Sequence, residues 1–139
     1  MKNIKNEYGM SLIEISIVLL IMGMVAAIIG PKLFGKVDDA KVKTAKTQIS
    51  ELENALDMYR LDVGKYPTTS EGIKALKEQP SGINTWKGPY LKKDVPKDPW
   101  GNDYQYTSPG SHGDFDILSY GADGSVGGEK NNKDIVSWE

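Results

Sequence analysis

Between Ser11 and Ile29 the chain carries one ionisable residue, Glu14. The twenty residues Met10 to Ile29 form, as a helix, a rod of roughly 30 Å, the thickness of a bilayer core. A secretory signal peptide is the plain alternative, and it fits poorly. The apolar run is longer than an h-region, and no small-x-small cleavage site follows it. A membrane anchor is the better reading, but an anchor alone leaves Glu14 unexplained. An acid at the centre of such a helix costs up to about 2.5–3.5 kcal/mol, and ionisable groups inside membranes usually have a partner. If the chain were cut between Gly9 and Met10, the new α-amino group would lie four residues from Glu14. The amine of a neighbouring copy could then neutralise the carboxylate inside a helical bundle.

The rest of the 139-residue chain is polar and long enough for one domain. A net charge of −2 leaves no basic face for phosphates, which argues against a nucleic-acid partner. Lys41, Lys43 and Lys46 cluster, but Asp38, Asp39, Glu51 and Glu53 flank them, as on a solvated helix face. With no cysteine there is neither a disulfide nor a thiolate metal site. The single histidine, His112, lies in a Ser-Pro-Gly-Ser-His-Gly-Asp loop and reads as surface decoration. No nucleophile–base spacing, phosphate-cradling loop or histidine cluster occurs, so the chain does not read as an enzyme.

Gly30 and Pro31 end the apolar run, and the proline invites a kink or local melting, with Gly35 a second weak point. Beyond them Ala45, Ile49, Leu52, Leu56 and Tyr59 recur at helical spacing, with Gly64 as the stop. Continuous helix from Ser11 to Asp62 would measure about 78 Å. Its outer half offers one apolar stripe to a small body. Thr68 to Glu71 supply caps for a short helix through Leu76 and Lys77. Strands are expected over Tyr104–Thr107 and Phe115–Ser119, joined across Pro109-Gly110 as a hairpin. Ile135–Trp138 adds a third short strand or packs irregularly. The expected fold is α+β, a long N-terminal helix packed on a small antiparallel sheet. Its divisions are a leader (1–9), a membrane half-helix (10–30), an amphipathic half-helix (31–62) and a body (63–139).

The glycine-rich stretch 121–134 offers Asp123, Glu129, Asn131, Asn132 and Asp134. Calcium takes six to eight oxygens in loose geometry. The spacing is not that of an EF-hand, and on residues alone a solvated acidic loop and a metal site stand level.

The run Gly9-Met10-Ser11-Leu12-Ile13-Glu14 resembles the processing signal of type IV pilins and pseudopilins. Pro31 falls where that superfamily has its helix-kinking proline, and Met10 stands where Phe is usual. Three further segments resemble the major pseudopilins of type II secretion systems: 63–69 (Val-Gly-Lys-Tyr-Pro-Thr-Thr), 98–104 (Asp-Pro-Trp-Gly-Asn-Asp-Tyr) and 115–124 (Phe-Asp-Ile-Leu-Ser-Tyr-Gly-Ala-Asp-Gly). The resemblance runs from the leader to Trp138.

It implies a type IV pilin-like fold, removal of residues 1–9 by a prepilin peptidase and N-methylation of Met10. It implies a homopolymeric helical filament, with Glu14 paired to a neighbour's Met10 amine. That filament would grow from the inner membrane into the periplasm and drive export across the outer membrane, with minor pseudopilins and an inner-membrane secretion platform as partners. It also implies one calcium in the loop, with Asp123 and Asp134 as carboxylate ligands and Tyr120 and Ser125 giving backbone carbonyls. Asn131 and Asn132 stand where that family often has another acid. Orientation divides the two lines of argument. Lys32, Lys36, Lys41, Lys43 and Lys46 outnumber Lys2 and Lys5 and would hold the C-terminal side in the cytoplasm; the resemblance puts the body outside. The alternatives are a type IV pilin forming surface fibres, many of which close a C-terminal loop with a disulfide, and a membrane-tethered periplasmic binding domain.

Overall fold

In the computed structural model residues 9–139 are described, except the side chain of Asn131. Residues 1–8 of the expected leader lie outside the described residues. Helix α1 spans Leu12–Val63, 52 residues. It begins at a reciprocal cap: the Ser11 N–H donates to Glu14 Oε2 at 3.0 Å, and the Glu14 N–H donates to Ser11 Oγ at 3.3 Å. It ends at Gly64, whose φ of +90° no L side chain adopts easily and whose N–H still reaches the Arg60 carbonyl at 2.7 Å. Of the kink or local melting that Pro31 invites, local melting does not occur: α1 runs through Pro31 and Gly35. Proline removes only its own N–H from the ladder, and helix on both sides holds the turn.

The chain divides into two compact units at Val37 and Asp38. In the first, the described residues are the part of α1 up to Val37 and the short lead into it. Leu12, Leu19, Met22, Ile28 and Phe34 are all exposed. This stretch is long and apolar enough to cross a membrane, and its apolar window has no buried residue. The Ser16 hydroxyl donates to the Leu12 carbonyl at 2.8 Å, so it needs no outside partner.

In the second unit α1 buries Ala45, Ile49, Leu52, Ala55, Leu56 and Tyr59, one stripe at helical spacing. Ile73, Ala75, Leu76, Tyr104, Ile117 and Ile135 complete the core. Burying a side chain such as Leu56, Leu76 or Ile117 contributes about 1.5–3 kcal/mol. The sheet is antiparallel in the order β1 (Gln105–Thr107), β2 (Asp116–Ser119), β3 (Ile135–Val136). Gln105 pairs with Leu118, and Ser119 pairs with Ile135. The first two strands are each one residue shorter than expected, because Tyr104 and Phe115 serve the core and not the ladder. Tyr104 reaches back to α1, its hydroxyl bonded to the Gln48 side chain.

Thr68 to Glu71 form a capping box, but it closes a single turn. Thr68 N–H meets Glu71 Oε2 at 2.8 Å, and Glu71 N–H meets Thr68 Oγ1 at 3.2 Å. Gly72, at φ +68°, then redirects the chain, and only a 3-10 turn, Ile73–Leu76, follows. The expected capped helix is thus a box and a separate turn.

Candidate functional site

Apart from Pro31, the site residues expected from the sequence lie in two places, the start of α1 and the loop between β2 and β3. At the first, Gly9, Met10 and Glu14 are exposed. The Glu14 carboxylate is engaged by the amide of its own helix start, since Ser11 and Glu14 cap each other. That role escaped the sequence reading although its signature, serine followed three residues later by glutamate, was present. Pro31 lies inside the helix.

The second place is built on a buried carboxylate. Asp98 is 4% exposed and Ser119 is fully buried. Asp98 Oδ1 accepts the N–H groups of Trp100 at 3.1 Å and Asn102 at 2.8 Å, closing the Asp-Pro-Trp-Gly-Asn turn. Its Oδ2 accepts the Ser119 hydroxyl at 2.7 Å, and Ser119 Oγ accepts the Gly121 N–H at 3.2 Å. All three bonds to this buried acid are therefore made from fixed donors, as a buried charge requires.

From Tyr120 to Asp134 the backbone curls through Gly124, Gly127 and Gly128, all at positive φ, and through Lys130 at φ 54°. Gly128 is a close approach: a Cβ there would stand 2.4 Å from the Asn132 carbonyl oxygen. Two 3-10 turns, Gly121–Asp123 and Lys130–Asn132, pack on each other. Asp123, at the end of one turn, and Asn132, at the end of the other, are thereby brought to the same part of the loop. Asp123 Oδ1 accepts the Ser125 N–H at 3.1 Å, and Asp134 Oδ2 accepts the Gly127 N–H at 3.0 Å. Asp134 Oδ1 is buried and has no hydrogen-bond partner among the described residues. Tyr120 is half-buried, Ser125 and Glu129 are exposed, and the side chain of Asn131 lies outside the described residues. Among the described residues no three acidic or imidazole side chains converge. A cation held here would therefore draw on carbonyl and amide oxygens as well as carboxylates, a donor set calcium accepts.

His112 is more than decoration. Its ring stacks on Trp138 with centroids 3.8 Å apart and planes 4° from parallel, and Nδ1 lies 3.0 Å from Asp116 Oδ2. The Asp116 carboxylate also accepts the Ser111 N–H at 2.8 Å and the His112 N–H at 3.3 Å. Burial pushes its pKa up, but the bonds from the His112 ring and these two amides outweigh burial and hold it below the ordinary aspartate range.

Residues 32–138 match the family described as "Type II secretion system (T2SS), protein G". The chain is similar to type II secretion system core protein G of Vibrio cholerae, at 45% identity with 99% of this chain and 96% of that one covered. It is 46% identical to core protein G of Pseudomonas aeruginosa, with 97% of each covered. Among solved structures it is similar to the crystal structure of the major pseudopilin from the type 2 secretion system of enterohaemorrhagic Escherichia coli. There the TM-score is 0.66 and the identity 39%, over 78% of this chain and 95% of the other.

Proposed function

This chain belongs to the type II secretion system protein G family, and from that premise we propose that it is drawn from the inner membrane into a periplasmic pseudopilus whose growth drives protein export across the outer membrane. Its role is structural, that of the major subunit. The observation that carries the reading is the first unit: an apolar helix with no buried residue in its membrane-length window needs a lipid or protein environment of its own. The match over residues 32–138 favours this filament over a surface-fibre pilin and over a tethered binding domain.

Prepilin peptidase cuts between Gly9 and Met10, Met10 is N-methylated, and the body lies in the periplasm. This orientation follows the family and not the lysine count. On entering the filament, Glu14 exchanges its bond to the Ser11 amide for the Met10 amine of a neighbour. Desolvation makes a charge pair with that amine stronger than either group's contact with lipid, which sets the axial register of the incoming subunit. Minor pseudopilins and the inner-membrane platform are the remaining partners. Intact-mass measurement of membrane-extracted protein tests the processing: the expected chain starts at N-methylated Met10. A chain retaining Met1–Gly9 would overturn it.

Calcium in the loop is part of the same proposal. The buried oxygen Asp134 Oδ1, without a donor among the described residues, supports it, since such a carboxylate oxygen is costly unless a cation meets it. Asp123 and Asp134 would be its carboxylate ligands, with Tyr120 and Ser125 giving carbonyls and Asn131 and Asn132 further oxygens. Bound there, calcium would tie both 3-10 turns together in a body without disulfides.

A further inference from the structure

The loop is held at both ends by one residue that takes no part in the ligand set. Ser119 Oγ accepts the N–H of Gly121 where the loop begins. The Ser119 backbone pairs with Ile135 where the loop ends, directly after Asp134. Ser119 is itself positioned by Asp98, whose Oδ2 accepts its hydroxyl proton at 2.7 Å. Asp98 in turn is fixed by the amides of Trp100 and Asn102. The same turn touches the loop at a second point, since a Cβ on Gly124 would stand 3.7 Å from Asn102 Nδ2.

We infer that Asp98 is a positioning residue for the cation loop: acting through Ser119, the buried carboxylate presets the spacing of the loop's two ends before any ion arrives. The inference rests on the calcium reading above. Its physical basis is preorganisation. A glycine-rich loop loses much conformational freedom on binding, and an anchor that orders its ends beforehand removes part of that loss. A carboxylate suits this task better than an amide at the same place. Both Asp98 oxygens act as acceptors, so the donors of Trp100, Asn102 and Ser119 are all met at once. An asparagine would present an NH2 to the Ser119 hydroxyl. That hydroxyl would then have to turn its proton elsewhere, and its lone pairs would be shared between two donors.

The test compares wild type, Asp98→Asn and Ser119→Ala as full chains in detergent, with calcium affinity read by titration calorimetry and thermal unfolding read in chelator. The expected result is a fall in calcium affinity of about 10-fold or more in each variant, the range for partners that orient ligands without touching the metal. The losses should not add in the double variant, because both act through one chain of bonds. If Asp98→Asn lowers the melting temperature in chelator yet binds calcium as wild type does, the residue is merely structural and the inference fails. If Asp98→Asn does not fold, Ser119→Ala decides alone, since it leaves the turn bonds of Asp98 in place. Absence of calcium binding by the wild type would overturn the calcium reading and this inference together; undiminished binding in the variants would overturn only the latter.

Discussion

Ser11 and Glu14 hold each other at the start of α1, amide to carboxylate at 3.0 Å and amide to hydroxyl at 3.3 Å. The carboxylate that would join neighbouring subunits thus has a partner within its own chain. Such a bond lowers the cost of carrying an acid at the edge of a bilayer until a better partner arrives.

Capping and charge pairing can be separated by substitution. Glu14→Gln keeps a capping-box residue and removes the charge. It should insert in the membrane normally and yield far less crosslinked filament than wild type. Ser11→Ala should cost about 0.5–2 kcal/mol of helix-start stability and leave filament register intact. Normal assembly of Glu14→Gln would show that charge does not set register.

Calcium should raise the melting temperature of the full chain in detergent. At about 100 times the dissociation constant the gain is about 2.7 kcal/mol, a rise of roughly 10–20 °C for a body of this size. Asp134→Ala and Asp123→Ala should each abolish the shift. Unchanged melting of the wild type between chelator and calcium would remove the ion from the account.

Acid stability should depend on His112. The Asp116 pKa is lowered in the folded chain. Its contribution is therefore present above the ordinary aspartate pKa and is lost as pH falls through the depressed value. In His112→Ala the Asp116 pKa rises toward the ordinary value, so acid unfolding should begin at higher pH. Circular dichroism would follow the acid unfolding of both proteins. An unchanged acid midpoint would mean the two backbone amides alone hold the carboxylate.

Alkaline stability should depend on Tyr106. Its hydroxyl donates to the Pro67 carbonyl at 2.7 Å, and burial, the largest cause, pushes its pKa up to about 12. A raised folded pKa gives stability that is whole below about pH 10, the ordinary tyrosine value, and is lost as pH climbs toward about 12. Tyr106→Phe should be less stable at neutral pH by about 0.5–1.5 kcal/mol and decline less steeply in base. Parallel alkaline declines in both proteins would assign the loss to another group.

Local pattern made much of this protein legible. The membrane-length run from Met10, the buried stripe through Ala45, Leu52 and Tyr59, the hairpin and the stop at Gly64 all depend on residues close in the chain. Side-chain period and glycine geometry act over a few residues and survive any later packing. The same locality explains the misreadings. The box at Thr68 and Glu71 is real, but whether a helix follows depended on Gly72 and on how Ile73 and Leu76 meet the core. Pro31 left local melting open in the sequence, and the continuing helix decided that the turn survives the missing bond.

What the tertiary structure alone decided is the support of the loop. Asp98 and Ser119 stand 21 residues apart, and His112 and Trp138 meet only because the β1–β2 turn and the C-terminal segment come together. Sequence could identify the acids of 121–134 as oxygen donors, since donor chemistry belongs to the side chain. It could not place Asp98 beneath them, because burial and hydrogen-bond partners are properties of the packed sheet. The sequence by itself determined an apolar helix of membrane length, its stop at Gly64, and a family. The anchoring of the candidate ion loop was decided only when the sheet brought a turn and a strand within hydrogen-bonding distance.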